Sequence, residues 1–150
     1  MTWAAACESI RQTIALYCQL LDDQRFDEVA RLFTDDAVLP WEGRTLRGRT
    51  EIARELPTTQ LPRGRTKHLA FGPVIDVHGT RATSWTDVVV TVNEPNGSAA
   101  IAWIGRYYDT LELVDGSWQM REHVAVAVGE PLPDGVRPVS VQVLGGHGAQ

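Results

Sequence analysis

Residues 81–128 read RATSWTDVVVTVN (81–93), EPNG (94–97), SAAIAWIGRYYDTLELV (98–114), DG (115–116) and SWQMREHVAVAV (117–128). Three β-rich runs, Arg81–Asn93, Ser98–Val114 and Ser117–Val128, are separated by Glu94-Pro95-Asn96-Gly97 and Asp115-Gly116. Both connections carry the residues of tight turns, so the runs pair as antiparallel neighbours. Upstream, a fourth run from Thr66 to Val77 reaches Arg81 through His78-Gly79-Thr80. Three successive short turns predict an antiparallel meander. Within Ser98–Val114, the set Ile101, Trp103, Gly105, Tyr107, Asp109, Leu111 and Leu113 alternates and is expected to face the core. Asp109 is the odd member. An acid in apolar surroundings is either protonated and donating, or ionised and bonded to a neighbour. A strand end or Arg106 near the rim is one such neighbour.

Ahead of the sheet the period changes. Cys7, Ile10, Ile14, Tyr17, Cys18 and Leu21 recur at intervals of three and four, which predicts an amphipathic helix over Trp3–Leu21. Asp22 follows Cys18 by four residues, about 40° around the helix, so it extends the apolar stripe. Phe26 to Phe33 reads as a second, short helix ended by Thr34-Asp35-Asp36. Ala37–Trp41 and Thr45–Leu46 read as short strands around Glu42-Gly43, Thr50–Leu56 as a short helix stopped by Pro57, and Thr58–Gly64 as a loop. The remainder, 129–150, is rich in Gly and Pro, with Val139–Val143 as a possible edge strand and a lid as the alternative. Helices first and strands afterwards give an α+β class, with a cone of curved antiparallel sheet around the long helix. Such a cone has an open end where helix and strand side chains converge.

The chain of 150 residues, 43% apolar and 22% charged, suits one domain able to bury its core. A formal charge of −5 and the lack of any Lys/Arg block argue against a nucleic-acid partner. No apolar run approaches the roughly 18–20 residues of a membrane span, and the N-terminus lacks a basic leader. These features predict a soluble cytoplasmic protein without membrane contact. Cys7 and Cys18 would lie about 16 Å apart on one helix, beyond disulfide reach, so both are expected to be buried and inert. Four histidines without close ligand spacing predict no metal site.

Tyr17-Cys18-Gln19-Leu20-Leu21-Asp22, then Phe26 through Ala37, resembles the start of SnoaL-like proteins of the nuclear transport factor 2-like superfamily. The resemblance continues in Arg65-Thr66-Lys67-His68, Gly105-Arg106-Tyr107-Tyr108-Asp109 and Asp115-Gly116-Ser117-Trp118. It covers roughly residues 8–128 and implies a SnoaL-like domain over 1–128 followed by a tail, 129–150. The nearest branch contains scytalone dehydratase, bile acid dehydratases and a dehydrochlorinase. What that branch implies is a His on the first long strand, here His68, paired with an Asp near the end of the first helix, here Asp22. Scytalone dehydratase has a second His on a neighbouring strand, and Arg81–Asn93 contains none. Limonene epoxide hydrolase needs an Arg-x-Asp that Arg81–Asn93 also lacks. Ketosteroid isomerase pairs a Tyr with a protonated Asp, which Tyr17 and Asp109 resemble; Glu42 is only an approximate match for its base.

If Asp22 accepts the proton of one imidazole nitrogen, the other nitrogen of His68 is free to act as a base near neutral pH. Alternation leaves the direction of His68 open: Leu69, Phe71, Ile75 and Val77 form the opposite, apolar face, and Gly72-Pro73 is a candidate bulge that switches faces. Asp22 has its own alternative as a plain helix end. Trp41, Phe71, Trp85, Trp103, Tyr107 and Met120 are candidate walls for a substrate, with Asp87 as a second acid, and core packing is the alternative for each. His123 is expected at the surface or in a subunit interface, and His78 and His147 in a turn and the tail. The resulting expectation is a cofactor-independent lyase or isomerase, a dehydratase, cyclase or double-bond isomerase, for a small apolar cyclic metabolite, acting as a homo-oligomer. The alternative is a non-catalytic ligand-binding or dimerisation module of the same fold.

Overall fold

The computed structural model describes residues 1–145, so His147 lies outside the described residues. Helix α1 (Trp3–Asp22) starts where the Thr2 hydroxyl accepts the Ala5 N–H at 3.2 Å. Its buried stripe is the predicted one and includes Asp22. Then come α2 (Phe26–Arg31), β1 (Phe33–Trp41), β2 (Arg44–Arg47), α3 (Arg49–Gln60) and a 3-10 turn at Leu61–Arg63. The sheet continues with β3 (Arg65–Ala70), β4 (Val74–His78), β5 (Arg81–Asn93), β6 (Ala99–Val114) and β7 (Ser117–Ala127). Strand order is β2-β1-β7-β6-β5-β3, with β4 also on β5, and α1 packs against β3, β4 and β7. This is the expected α+β architecture, a curled sheet against the N-terminal helix. The sheet is mixed, however, because β1 runs parallel to β7 while every other pair is antiparallel.

Local readings shift where tertiary contacts outweigh local signals. Phe33 ends no helix: it opens β1, fully buried and paired with Met120. Pro57 does not stop α3, which runs on to Gln60 because Ile52, Leu56 and Gln60 form one buried face. The Thr58 and Thr59 hydroxyls donate to the Glu55 and Leu56 carbonyls at 2.7 and 3.3 Å, supporting that last turn. The run Thr66–Val77 is two strands, interrupted at Phe71-Gly72-Pro73. Cys7 and Cys18 are free and buried. Burial raises both thiols, Cys18 being pushed up to about 12, so neither is a thiolate at neutral pH. No described helix is long and apolar enough to cross a membrane.

The tail forms no edge strand at Val139–Val143. The Ser140 carbonyl and hydroxyl accept the N–H groups of Val143 and Gln142, which folds Val141–Gly145 into a 3-10 turn. Nor does any described tail residue line the cavity below. Instead the tail straps the outer face of the sheet. Trp85 Nε1 donates to the Arg137 carbonyl at 2.8 Å, and the Arg137 guanidinium lies 5.3 Å from the Trp85 ring centre. Arg137 also pairs with buried Asp76 at 2.8 Å, and His78 reaches the other Asp76 oxygen at 3.0 Å. Burial pushes the Asp76 carboxyl up, but the hydrogen bonds from Arg137 and His78 outweigh it and hold it below its usual range. A carboxyl depressed on folding stabilises the fold above its unfolded value, and that gain is lost as pH falls through the lower folded value. Asp76→Asn is therefore expected to lower the thermal midpoint at pH 7, by the equivalent of about 1–3 kcal/mol. In circular-dichroism melts the gap to the parent chain narrows below about pH 4.

Candidate active site

A cavity of about 530 Å³ lies between α1, the end of α3 and the inner face of β3, β5, β6 and β7. Tyr17 and Leu21 enter from α1, Gln60 from α3, Thr66 and His68 from β3, Val90 and Val92 from β5. Ala102, Trp103 and Tyr107 line it from β6, His123 and Ala125 from β7, and Trp41, Glu42 and Arg63 stand at one side. Arg63 ion-pairs with Glu42, its guanidinium 5.9 Å from the Trp41 ring centre.

His68 faces this cavity because the strand alternation breaks. Four steps from Ala70 to Val74 are matched by three from Val88 to Trp85 on β5, so one extra residue sits at the Gly72-Pro73 interruption. A slip of one residue exchanges the two faces of a strand. Ile75 on β4 and His68 on β3 therefore both point inward, while Leu69 and Phe71 are exposed. Asp22, at the last turn of α1, meets β3 there. Its Oδ1 lies 2.5 Å from His68 Nδ1, its Oδ2 accepts the His68 backbone N–H at 2.9 Å, and the Thr66 hydroxyl donates at 3.3 Å. With Nδ1 engaged by a carboxylate, the other nitrogen, Nε2, is left for the cavity.

A second pair faces the same space. His123 Nδ1 lies 2.5 Å from Asp109 Oδ1, and the two residues are each 1% exposed. Ser84 Oγ donates to Asp109 Oδ2 at 3.5 Å. The His123 ring is held between Tyr17 and Tyr107, with centroids at 4.6 and 4.4 Å. The expectation of a surface position for His123 is corrected by a bulge. Thr110 pairs with Glu122 but Leu111 with Met120, so Arg121 is the extra residue and the inward set passes from Trp118 and Met120 to His123. A mixed pattern, apolar at 118 and 120 and then a charged pair before His123, was the available signal. A third slip, at Ala102, brings Ala102 to the cavity and turns Ile101 outward, against its expected core position.

The residues 4–124 match the SnoaL-like domain. The chain belongs to that family. No curated protein matches the SnoaL-like chain. Among solved structures it is similar to a function-unknown protein from Mycobacterium tuberculosis, at 27% identity and a TM-score of 0.73, covering 79% of this chain and 69% of the other. An NTF2-like protein with a cystatin-like fold from Novosphingobium aromaticivorans is 21% identical, with a TM-score of 0.75 and coverage of 83% and 82%. A candidate scytalone dehydratase from the same organism is also 21% identical, with a TM-score of 0.71 and coverage of 86% and 97%. These likenesses place the SnoaL-like chain in the nuclear transport factor 2-like fold.

Of the expected site residues, Tyr17, His68, Trp41, Trp103 and Tyr107 line the cavity of this SnoaL-like domain. Gly105 lets Trp103 fold across the strand onto Tyr107, ring centres 6.0 Å apart, since a Cβ at 105 would meet Trp103 and the Val126 carbonyl within 2.5 Å. Burial pushes the Tyr17 and Tyr107 phenols far above their usual range, so both remain proton donors. Asp22 and Asp109 reach the cavity only through their histidines, so Tyr17 and Asp109 form no direct oxyanion pair. Four expected wall residues lie elsewhere. Trp85 is under the tail, Phe71 is 54% exposed, Met120 is core, and Asp87 is exposed and paired with Arg106 at 2.6 Å. Trp85 and Asp87 lie two residues apart on one face of β5, and it is the outer face, not the cavity wall expected for them. No cluster of three or more His, Cys, Asp or Glu suited to a metal exists among the described residues.

The geometry fixes the neutral tautomers. Both imidazoles are expected to carry their proton on Nδ1, and long-range 1H–15N spectra of ring-labelled protein will read this directly. Asp22→Asn should move only the His68 signals toward the mixed tautomers of free imidazole, and Asp109→Asn only those of His123.

Proposed function

We propose that the protein is a cofactor-independent lyase or isomerase, a dehydratase, cyclase or double-bond isomerase, for a small apolar cyclic metabolite. The observation that carries this reading is the 2.5 Å contact of Asp22 with His68 on the wall of a cavity of about 530 Å³. His68 Nε2 takes a proton from the carbon next to a carbonyl, and the C–H electron pair forms the new double bond. In a dehydration the same proton passes to the departing hydroxyl, which leaves as water. In an isomerisation it returns to another carbon. No oxidation state of the substrate changes in sum, so this chemistry calls for no redox cofactor. Asp22 is a positioning residue that holds the ring through Nδ1 and leaves Nε2 toward the cavity. The Tyr17 phenol, kept protonated by burial, donates to the oxygen that gains charge.

A filled interior with His68 turned outward would have favoured the non-catalytic ligand-binding or dimerisation module. The open cavity and the inward ring favour catalysis. Incubation with a panel of cyclic β-hydroxy ketones, followed by mass spectrometry for loss of water or for deuterium uptake from D2O, tests the reading. His68→Ala should keep its fold and lose about 10²–10⁴-fold of turnover. A folded His68→Ala protein with full turnover overturns the mechanism.

The protein acts as a homo-oligomer, in keeping with an apolar row across the outer face. Leu69 pairs with Val89, Val89 with Ile104, and the Val128 N–H donates to the Ile104 carbonyl, with Leu69, Ile104 and Val128 exposed. Light scattering should show Ile104→Asp as a monomer where the parent chain is larger; equal masses would remove this part. Two protonated, unpaired thiols suit a cytoplasmic setting.

A further inference from the structure

The proposed reaction leaves one buried ionisable pair unused. His123 on β7 meets Asp109 on β6, Nδ1 to Oδ1 at 2.5 Å, and Ser84 Oγ donates to the other carboxylate oxygen at 3.5 Å. Packing alone does not call for this pair, since apolar side chains of the same volume often stabilise a core as well or better. The bulge at Arg121 nevertheless turns His123 inward, onto the cavity wall. Among the described residues, three side-chain N or O atoms are both sealed and unpartnered, namely Gln60 Nε2, Thr86 Oγ1 and Trp118 Nε1. His123 Nε2 is not one of them, although the ring is hydrogen-bonded only through Nδ1, so Nε2 opens on the cavity. Two phenols flank that ring, Tyr17 at 4.6 Å and Tyr107 at 4.4 Å between centroids, and both line the cavity too. His68 enters from β3, which β5 and β6 separate from β7. Burial above all, then Tyr17, Cys18 and the carboxylates of Asp109 and Asp22, push the Tyr107 phenol up, so both pairs border one space. The cavity thus has one corner of O–H and N–H groups around His123 and a separate imidazole at His68.

We propose that His123 is a second catalytic residue of the cavity, the general acid and base at the ligand's oxygen, while His68 serves its carbon. The reacting form of His123 carries a proton on Nε2 beside the Nδ1 proton that Asp109 accepts. As His68 Nε2 takes the carbon proton, the C–H pair forms a double bond to the carbonyl carbon. The carbonyl π pair moves to oxygen, and that oxygen takes the Nε2 proton of His123. A neutral enol results. When the carbonyl re-forms, the enol O–H proton returns to His123 Nε2 and the displaced pair forms the new double bond or takes up a proton at another carbon. In the first case the hydroxyl leaves as water with the proton that His68 holds; in the second, the carbon takes that proton. Each ring ends the turnover as it began. Full transfer to oxygen avoids an enolate charge that the two phenols alone would meet only with hydrogen bonds. This deepens the proposed function by adding a residue to its reaction, and rests on that reading for the carbon step; a proton-transfer group at His123 is detectable without turnover.

The probe is 4-nitrophenol, whose acidic O–H stands for that of the enol. In long-range 1H–15N spectra of ring-labelled protein, its addition should move the Nε2 signal of His123, and the shift should persist in His68→Ala. An unmoved His123 signal, or one that moves only while His68 is present, overturns the inference. On a hydroxy ketone turned over by the parent chain, His123→Phe combined with Asp109→Leu should lose about 10²-fold in kcat. That double variant keeps an aromatic ring between Tyr17 and Tyr107 and leaves no carboxylate unpaired behind it. Full kcat in the folded double variant overturns the inference as well. The titration of the labelled parent chain needs no substitution, so a variant that fails to fold does not shelter the proposal. The two readings fail separately. Turnover lost in His68→Ala but untouched in the double variant removes this inference alone. A His123 shift that persists in His68→Ala, in a protein with no turnover on the hydroxy ketones, removes the proposed reaction and leaves His123 as a proton-transfer site.

Discussion

One buried carboxylate ties the two halves of the molecule together. Asp22 ends the apolar stripe of α1 and accepts from the backbone, ring and neighbouring hydroxyl of β3 at once. An acid on a core-facing stripe is tolerable only with such partners, because a buried charge without hydrogen bonds is costly. The same bonds fix where the helix ends against the sheet and how the His68 ring stands. Structural and chemical demands on Asp22 thus coincide.

The second constraint is the count of residues between paired strands. A strand with strict alternation cannot carry His68 inward beside exposed Leu69 and also bury Ile75. One extra residue at Gly72-Pro73 resolves the conflict, and comparable slips at Ala102 and Arg121 do so on β6 and β7. Each bulge lets a strand pack apolar side chains inward at one end and present a different set to the cavity at the other. His68 and His123 reach one chamber by this device, each with a carboxylate behind it, Asp22 from α1 and Asp109 from β6.

The walls follow the same economy of backbone. Gly105 has no side chain, so Trp103 lies across the strand and stacks on Tyr107. On the far side α3 continues past Pro57 to bring Gln60 to the cavity. The outer face is treated differently: the tail covers Trp85 and Asp76, and the row from Leu69 to Val128 stays exposed.

Periodicity alone determined the long helix with Asp22 on its inner stripe, the β5–β6–β7 meander and the α+β class, since these depend on local spacing and turn residues. The resemblance drawn from short motifs located His68 and Asp22 as a pair. Local spacing was silent on the parallel β1–β7 pairing, on Phe33 as a strand residue and on the continuation of α3, because each is stabilised by contacts distant in sequence. It misdirected His123 and Ile101, and left His68 undecided, for one physical reason. A bulge is a property of two strands counted against each other, and a single strand read alone carries no record of its partner's count.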